Sequence, residues 1–319
     1  MTAMIRGRGP TIDEGQVLDT VQASLRALIA AAPWPRALAA AATDVLSEPT
    51  RVLGGRLTLW ALLPLCCCAA ACGDWRPALR AATAAELYHA ASDICDDIED
   101  GDFAGPIERH GVPIMLNLAT ALLALMHRAL EPATPAESVA CRRAQDALWA
   151  GVAVAAGGQH LDLAAAGAAP LSVEDCLDIA RRKGGALAEA CCRAGAAFGT
   201  AEAQLIERFG LLGRSIGLCG QIDNDMHDAG DGARKTDLAQ RKQTVPITVA
   251  RASNASEPLG DAVWQGGIQL AYALVHAERV RAQEALEAVA AACRNPAFAR
   301  TALAPLLVPR GRALAEMPL

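Results

Sequence analysis

Aromatic side chains are scarce in this chain: two tyrosines, four phenylalanines and five tryptophans make up 3% of 319 residues. β-Branched residues are sparse too, and no run alternates Val, Ile or Thr with polar residues, so half-buried strands are not indicated. Alanine and leucine dominate instead, residues that lose little on entering a helix. A net charge of −6 with a pI near 5.6 argues against a general nucleic-acid surface, which needs clustered Lys and Arg. Eleven cysteines include no Cys-x-x-Cys pair, and Cys66, Cys67 and Cys68 are consecutive, so they read as small buried apolar residues in a reduced compartment. The longest apolar run, Leu59 to Cys72, contains Pro64 and falls short of the roughly 20 residues that a membrane span takes. Met1-Thr2-Ala3-Met4-Ile5-Arg6 lacks the apolar core of a secretory signal. The expectation is a cytoplasmic all-α protein without a membrane span, its 53% hydrophobic content supplying the core.

Residues 1–10 read as a flexible basic tail and 11–319 as one helical domain. Thr11 is placed as an N-cap, followed by Val17, Leu18, Val21, Leu25 and Leu28 at helical spacing, until Pro33 and Pro35 break the run. A helix over Arg36 to Leu46 follows, and then Gly54-Gly55-Arg56 opens the apolar run. Further helices are expected over Pro113 to Leu130, from Ala140 to Asp162, and after the capping signal Ser172-Val173-Glu174-Asp175 through Lys183 to Cys192. Ala201 to Asp228, Pro246 to Ala252, Asp261 to Ala290 and Pro296 to Leu307 complete the set, with a Gly-, Asp- and Lys-rich lid over Ala229 to Arg241.

The chemistry is concentrated in Glu86-Leu87-Tyr88-His89-Ala90-Ala91-Ser92-Asp93-Ile94-Cys95-Asp96-Asp97-Ile98-Glu99-Asp100, an apolar helix ending in carboxylates. On a helix Asp96 and Asp100 share a face, and Asp97 lies one turn from Asp100. No Lys or Arg occurs between Arg80 and Arg109 to relieve their repulsion, so a cation from outside is implied, and a hard ion such as Mg²⁺ suits aspartate oxygens. On composition alone a solvated acidic helix end is the alternative. A second stretch, Gln221-Ile222-Asp223-Asn224-Asp225-Met226-His227-Asp228, repeats the spacing at Asn224, Asp225 and Asp228. Two such helices facing each other would clamp a metal-bound diphosphate.

The first stretch resembles the first aspartate-rich motif of the trans-isoprenyl diphosphate synthase superfamily, with Glu86, His89, Ser92, Asp96, Asp97 and Asp100 all matching. The second is similar to that superfamily's Gln-Ile-x-Asp-Asp-x-x-Asp, with Asn224 in place of the first Asp. Gly158-Gln159 with Asp162-Leu163, then Lys183, then Lys242-Gln243-Thr244-Val245-Pro246 fall where the family has further signatures. The resemblance implies an isoprenoid-synthase-like helical bundle with a central active-site cavity. It also implies three Mg²⁺ ions held by Asp96, Asp97, Asp100, Asn224, Asp225 and Asp228, and a homodimer that takes an allylic isoprenyl diphosphate. Lys183, Lys242 and Lys235 become candidate diphosphate donors, and His89, Ser92 and Gln221, which match the family pattern, either pack or orient the carboxylates. Ala91 and Ser92 are small where bulky residues in the family stop short products, which favours a C15 or C20 chain. Tyr88 reads as a pocket floor, a cation-facing ring or an ordinary core tyrosine. Trp60, Phe103, Trp149, Phe198 and Trp264 are the other rings available to a carbocation.

Two departures bear on function. The family's Gly-Gly-Lys-Arg-x-Arg-Pro, which grips a second diphosphate, survives only as Gly54-Gly55-Arg56, with Leu57 and Leu59 replacing cations. The arginine pair expected after the first acidic motif is missing from Gly101 to His110. With Asn224, these losses lead the reading to a class I terpene synthase, a lyase that ionises farnesyl or geranylgeranyl diphosphate and cyclises or deprotonates the cation. The alternative is a chain-elongating prenyltransferase that adds isopentenyl diphosphate to an allylic diphosphate. Prenyl transfer to a peptide and a silent partner subunit are further options.

Overall fold

The structure is a computed structural model that describes residues 13–230, 242–252 and 266–307. Among these residues every regular element is helical. In chain order they are α1 (Glu14–Ala31), α2 (Arg36–Leu46), α3 (Leu59–Cys72), α4 (Leu79–Glu99), α5 (Pro106–His110), α6 (Val112–Ala129), α7 (Ser138–Ala165) and α8 (Val173–Ala180). There follow α9 (Ala186–Gly199), α10 (Ala203–Gly230), α11 (Val245–Ala252), α12 (Ile268–Ala292) and α13 (Pro296–Leu303). The cap of α1 is Asp13 rather than Thr11, which lies outside the described residues. The Asp13 carboxylate accepts from the Gly15 and Gln16 amides, satisfying two of the helix's orphan donors. The tail over residues 1–10 and most of the expected lid also lie outside the described residues.

The chain divides into two compact units. The first comprises Met1–Leu148, Cys191–Phe209 and Val289–Leu306. At its centre is α4, alanine-rich and buried around most of its circumference from Ala81 to Ala91. A helix so enclosed has little room for large polar side chains, and from Ala81 to Ala91 most of its residues are small or apolar. Against it pack α1, α3 and α6. On α6 the buried residues Met115, Leu118, Ala119, Leu122, Leu125, Met126 and Ala129 form one stripe at three- and four-residue spacing. This 18-residue helix, with a mean hydropathy of 1.4, is long and apolar enough to cross a membrane by length and composition. Reading only uninterrupted apolar runs overlooked it; its stripe is that of a helix packed on α4.

Contact between α3 and α9 depends on missing side chains. A Cβ at Gly195 would stand 2.1 Å from the Pro64 carbonyl oxygen, and one at Gly199 would stand 2.9 Å from that of Cys68. Cys66, Cys67 and Cys68 are buried as read, but Cys72 is exposed and Cys95 and Cys219 are half-buried, so the cysteines are not uniformly core residues.

The second unit comprises Trp149–Ala190, Gly210–Ala288 and Leu307–Leu319. Its core joins Cys176, Leu177 and Ala180 of α8 with Leu218, Ile222, Met226 and Ala229 of α10, Val245, Ile247 and Ala250 of α11, and Ile268, Ala271 and Val275 of α12. Burying each larger aliphatic side chain contributes about 1.5–3 kcal/mol. The capping box forms as its sequence indicates, with Ser172 and Asp175 each bonding the other's backbone amide. Between α8 and α9 the helix passes through a π-turn over Arg181–Gly185. Tight packing brackets that turn: a Cβ at Gly158 would meet that of Arg182 at 2.7 Å, and one at Gly217 would lie 2.2 Å from the Gly184 carbonyl oxygen.

Candidate active site

In the first unit the acidic motif occupies the last turn of α4, and Asp100 is the C-cap. Unsatisfied carbonyls give this end of a helix about half a negative charge, so acids are least welcome there, and the last turn carries no basic residue. Asp96, Asp97 and Asp100 are all partly open to solvent. The chain then turns sharply at Gly101, with φ of 72°, and the Asp102 amide donates to the Asp97 carbonyl at 2.8 Å.

Further down α4 lies a polar cluster only partly read from sequence. Glu86 is fully buried and accepts at Oε1 from the Thr58 hydroxyl and from the Ala61 amide, while its Oε2 is buried without a partner. Burial pushes its carboxyl up, against the opposing pull of His89, Thr58 and Arg51. One turn on, His89 Nδ1 lies 3.1 Å from Asp93 Oδ1, and Arg51 Nη2 lies 2.6 Å from Asp93 Oδ2. Trp60 meets the His89 ring edge to face at 5.2 Å. The Ser92 hydroxyl donates to the His89 carbonyl, and Ala91 and Tyr88 are buried, with burial pushing the tyrosine hydroxyl up. Arg56 is exposed in the loop before α3. After α4, Arg109 is held by Asp44 at 2.9 Å and Glu48 at 2.5 Å, and His110 by Asp44 at 2.9 Å.

In the second unit the other motif occupies the final turns of α10. Gln221 Nε2 donates to Asp225 Oδ1 at 3.0 Å, which fixes that carboxylate from one turn back. Asn224 is exposed, and Asp225 and Asp228 are partly so. Asp223 has a different environment: burial raises its carboxyl despite Arg279 and His227, and its Oδ1 is buried without a partner. His227 is exposed, as its helical position indicates.

Lys183 sits in the π-turn with Nζ 2.6 Å from Asp162 Oδ2 of α7, so two residues from separate family signatures meet. Lys242 is half-buried beside Gln243. Sequence reasoning gave Gln243 no role, yet it is the hub of this corner. Its side chain accepts from the Leu171 amide at 2.7 Å and donates to the Ala165 and Ala169 carbonyls at 2.7 and 3.1 Å. Cys176 Sγ donates to the Gln243 carbonyl at 2.9 Å. Lys235 and Trp264 lie outside the described residues.

Among the described residues no three His, Cys, Asp or Glu side chains converge to enclose a metal ion. The donors are nonetheless all hard oxygens on one helix end per motif. That set fits a divalent ion such as Mg²⁺, which draws its remaining ligands from water and a diphosphate rather than from a closed protein cage.

Comparison with known proteins bears on this arrangement. The family model described as Polyprenyl synthetase matches residues 53–265. A geranylgeranyl diphosphate synthase of Mycobacterium tuberculosis is 31% identical over 203 residues, covering 59% of this chain and 56% of that protein. The chain thus spans little more than half the length of that curated relative. The structure of a geranylgeranyl pyrophosphate synthetase from Pyrococcus horikoshii has a TM-score of 0.72 at 21% identity, over 93% of this chain and 97% of that one. A polyprenyl synthase from Caulobacter crescentus, solved with calcium and isoprenyl diphosphate, gives 0.65 at 19% identity over 95% and 97%. At these identities the structures establish the fold.

The terpene synthase expectation, and with it the lyase assignment, is overturned by the family match and by the relatives' names, which are those of chain-elongating synthases. That reading counted cations by motif position, so Leu57 and Leu59 registered as losses. Arg51, outside the motif, is carried against α4 all the same. The chain is all-α, has the isoprenoid synthase fold, and belongs to the polyprenyl synthetase family within the trans-isoprenyl diphosphate synthase superfamily.

Proposed function

We propose that the protein is a chain-elongating prenyltransferase that joins isopentenyl diphosphate to an allylic isoprenyl diphosphate. The observation that carries this reading is a family match whose span includes both acidic motifs. The name of the mycobacterial relative and the isoprenyl diphosphate in the Caulobacter structure support it. In the reaction the allylic C1–O bond breaks and diphosphate leaves with the electron pair. The C3–C4 π electrons of isopentenyl diphosphate form the new bond to C1, and loss of a C2 proton restores a double bond. Elongated diphosphate, free diphosphate and a proton result.

In this proposal Asp96, Asp97, Asp100, Asn224, Asp225 and Asp228 hold Mg²⁺, three ions by the family resemblance. When bound, the metal neutralises the leaving diphosphate. Gln221 keeps Asp225 oriented, and Lys183, Lys242 and Lys235 donate to diphosphate oxygens, Lys183 by exchanging its Asp162 contact. The small Ala91 and Ser92 favour a C15 or C20 chain. A cytoplasmic homodimer, read by fractionation and light scattering, belongs to the same proposal.

Radiolabelled isopentenyl diphosphate incubated with farnesyl diphosphate and Mg²⁺ tests it. Label in a longer, extractable diphosphate is the expected result. Hydrocarbon formed from the allylic diphosphate alone, with no uptake of label, would overturn it.

A further inference from the structure

The last turn of α3 places Cys68 and Cys72 on one face, four residues apart, with their sulfurs 3.9 Å from each other. Both sulfurs also lie 3.2 Å from the Asp74 carbonyl oxygen, so a single acceptor gathers the pair at the end of the helix. We propose that Cys68 and Cys72 form a reversible thiol pair that a hydroperoxide converts to a disulfide, Cys72 reacting first and Cys68 resolving it.

Exposure separates the two roles. Among the described cysteines only Cys72 is exposed, whereas Cys68 is fully buried. An oxidant arriving from solvent meets Cys72 first, with the second thiol standing behind it. The chemistry divides the same way: the hydrogen bond with Cys68 holds the Cys72 thiol down to about 6, while that bond and burial push Cys68 up. The next cation along the chain, Arg76, is held by the Asp74 carboxylate at 2.8 Å, so the low Cys72 value comes from its partner sulfur. By contrast burial pushes up the half-buried thiols, Cys95 and Cys219, the latter to about 12.

Backbone geometry permits the bond. Residues four apart on a helix have Cα atoms about 6 Å apart, inside the roughly 4.4–6.8 Å that a disulfide spans. The Cys68 backbone is packed against α9 so closely that a Cβ at Gly199 would stand 2.9 Å from its carbonyl oxygen. Cys72 is the final residue of α3, followed by Gly73 with φ of 89° and open space on its Cβ side. The exposed thiol is therefore the one that moves to close the gap. In the first step the Cys72 thiolate attacks hydrogen peroxide; the O–O bond breaks, hydroxide leaves and takes a proton from solvent, and Cys72 becomes a sulfenic acid. The Cys68 sulfur then attacks that of Cys72; the S–O bond breaks, and the departing hydroxide takes the Cys68 proton as water. Two thiols and one peroxide thus give one disulfide and two waters.

The test uses the full chain and needs no turnover, so it stands apart from the chain-elongation reading. At pH 7 iodoacetamide should label Cys72 about tenfold faster than Cys95 or Cys219. One equivalent of hydrogen peroxide should then remove two hydrogens from the intact mass, with peptide fragmentation placing the bond between Cys68 and Cys72, and dithiothreitol should restore the labelling. In Cys68→Ala the same treatment should leave a Cys72 sulfenic acid that dimedone captures. The first two measurements need no variant, so a poorly folding Cys68→Ala does not block the test. Labelling of Cys72 no faster than that of the half-buried cysteines, a Cys72 that survives peroxide as a free thiol, or a bond to Cys66 or Cys67 instead would each overturn the proposal. So would a Cys72 that stops as an oxyacid in the unaltered chain.

Discussion

Lys183 and Asp162 form a 2.6 Å ion pair in which both side chains are largely shielded, 15% and 13% exposed. Removing either partner takes a short charge-assisted contact away from a shielded group. Asp162→Asn is expected to destabilise the protein by about 2–3 kcal/mol, somewhat less than the cost for a fully buried pair. Lys183→Met with Asp162→Leu should cost less than the two single changes added together. Urea denaturation of the four proteins in a double-mutant cycle measures the coupling.

The acid-bearing ends of α4 and α10 are predicted to matter for turnover and little for folding. Asp97→Ala or Asn224→Ala should each lower Mg²⁺-dependent product formation by about 10²–10³-fold. Far-UV circular dichroism should not change, because both side chains are at least partly exposed and lie towards the ends of their helices. Chelation should abolish turnover in the unaltered protein. Retained turnover in both variants would remove the metal role from these residues.

Glu86 and Asp93 should respond to pH with opposite signs. Burial raises Glu86 above its ordinary 4.5. Its share of stability is therefore complete below that pH and is lost as pH climbs through the raised value. The stability of Glu86→Gln relative to the unaltered protein should accordingly improve above pH ~4.5. Burial also opposes ionisation of Asp93, but His89 and Arg51 outweigh it and hold that carboxyl down to about 2, from 3.8. Its contribution is present above 3.8 and disappears as pH falls towards 2. Solvent screening limits that contribution to about 1 kcal/mol. Denaturant midpoints collected from pH 2 to 8 check both signs.

Gln243 is predicted to hold the turn after α7 against the segment before α11. Gln243→Leu removes three hydrogen bonds to backbone groups and should cost about 2–3 kcal/mol. Amide exchange at Leu171 should accelerate in the variant. Unchanged protection there would show that the turn is held by other means.

Much of the fold was legible because helix signals are local. The bounds of α2 follow from Pro35 and the end of its apolar spacing, and the Ser172–Asp175 box closes as its letters indicate. Both acidic clusters fall on helix ends, as the shift from apolar to acidic residues required. The cap of α1 was misplaced by two residues because Thr11 and Asp13 are both competent caps and their sequence context does not rank them. The π-turn at Lys183 had no such signal. It lies where Gly158 and Gly217 let neighbouring backbone approach closely, a tertiary contact that local sequence does not reveal.

By itself, then, the sequence determined the helical class, the position of each carboxylate cluster and the order of the family's signatures, since these depend on residues within a turn or two of one another. Only tertiary structure decided which charges meet. Arg51 finds Asp93 across 42 positions, Lys183 finds Asp162 across 21, and Gln243 binds backbone more than 70 positions away. Helix packing brings those groups together, and an ion pair depends on distance in space rather than distance along the chain.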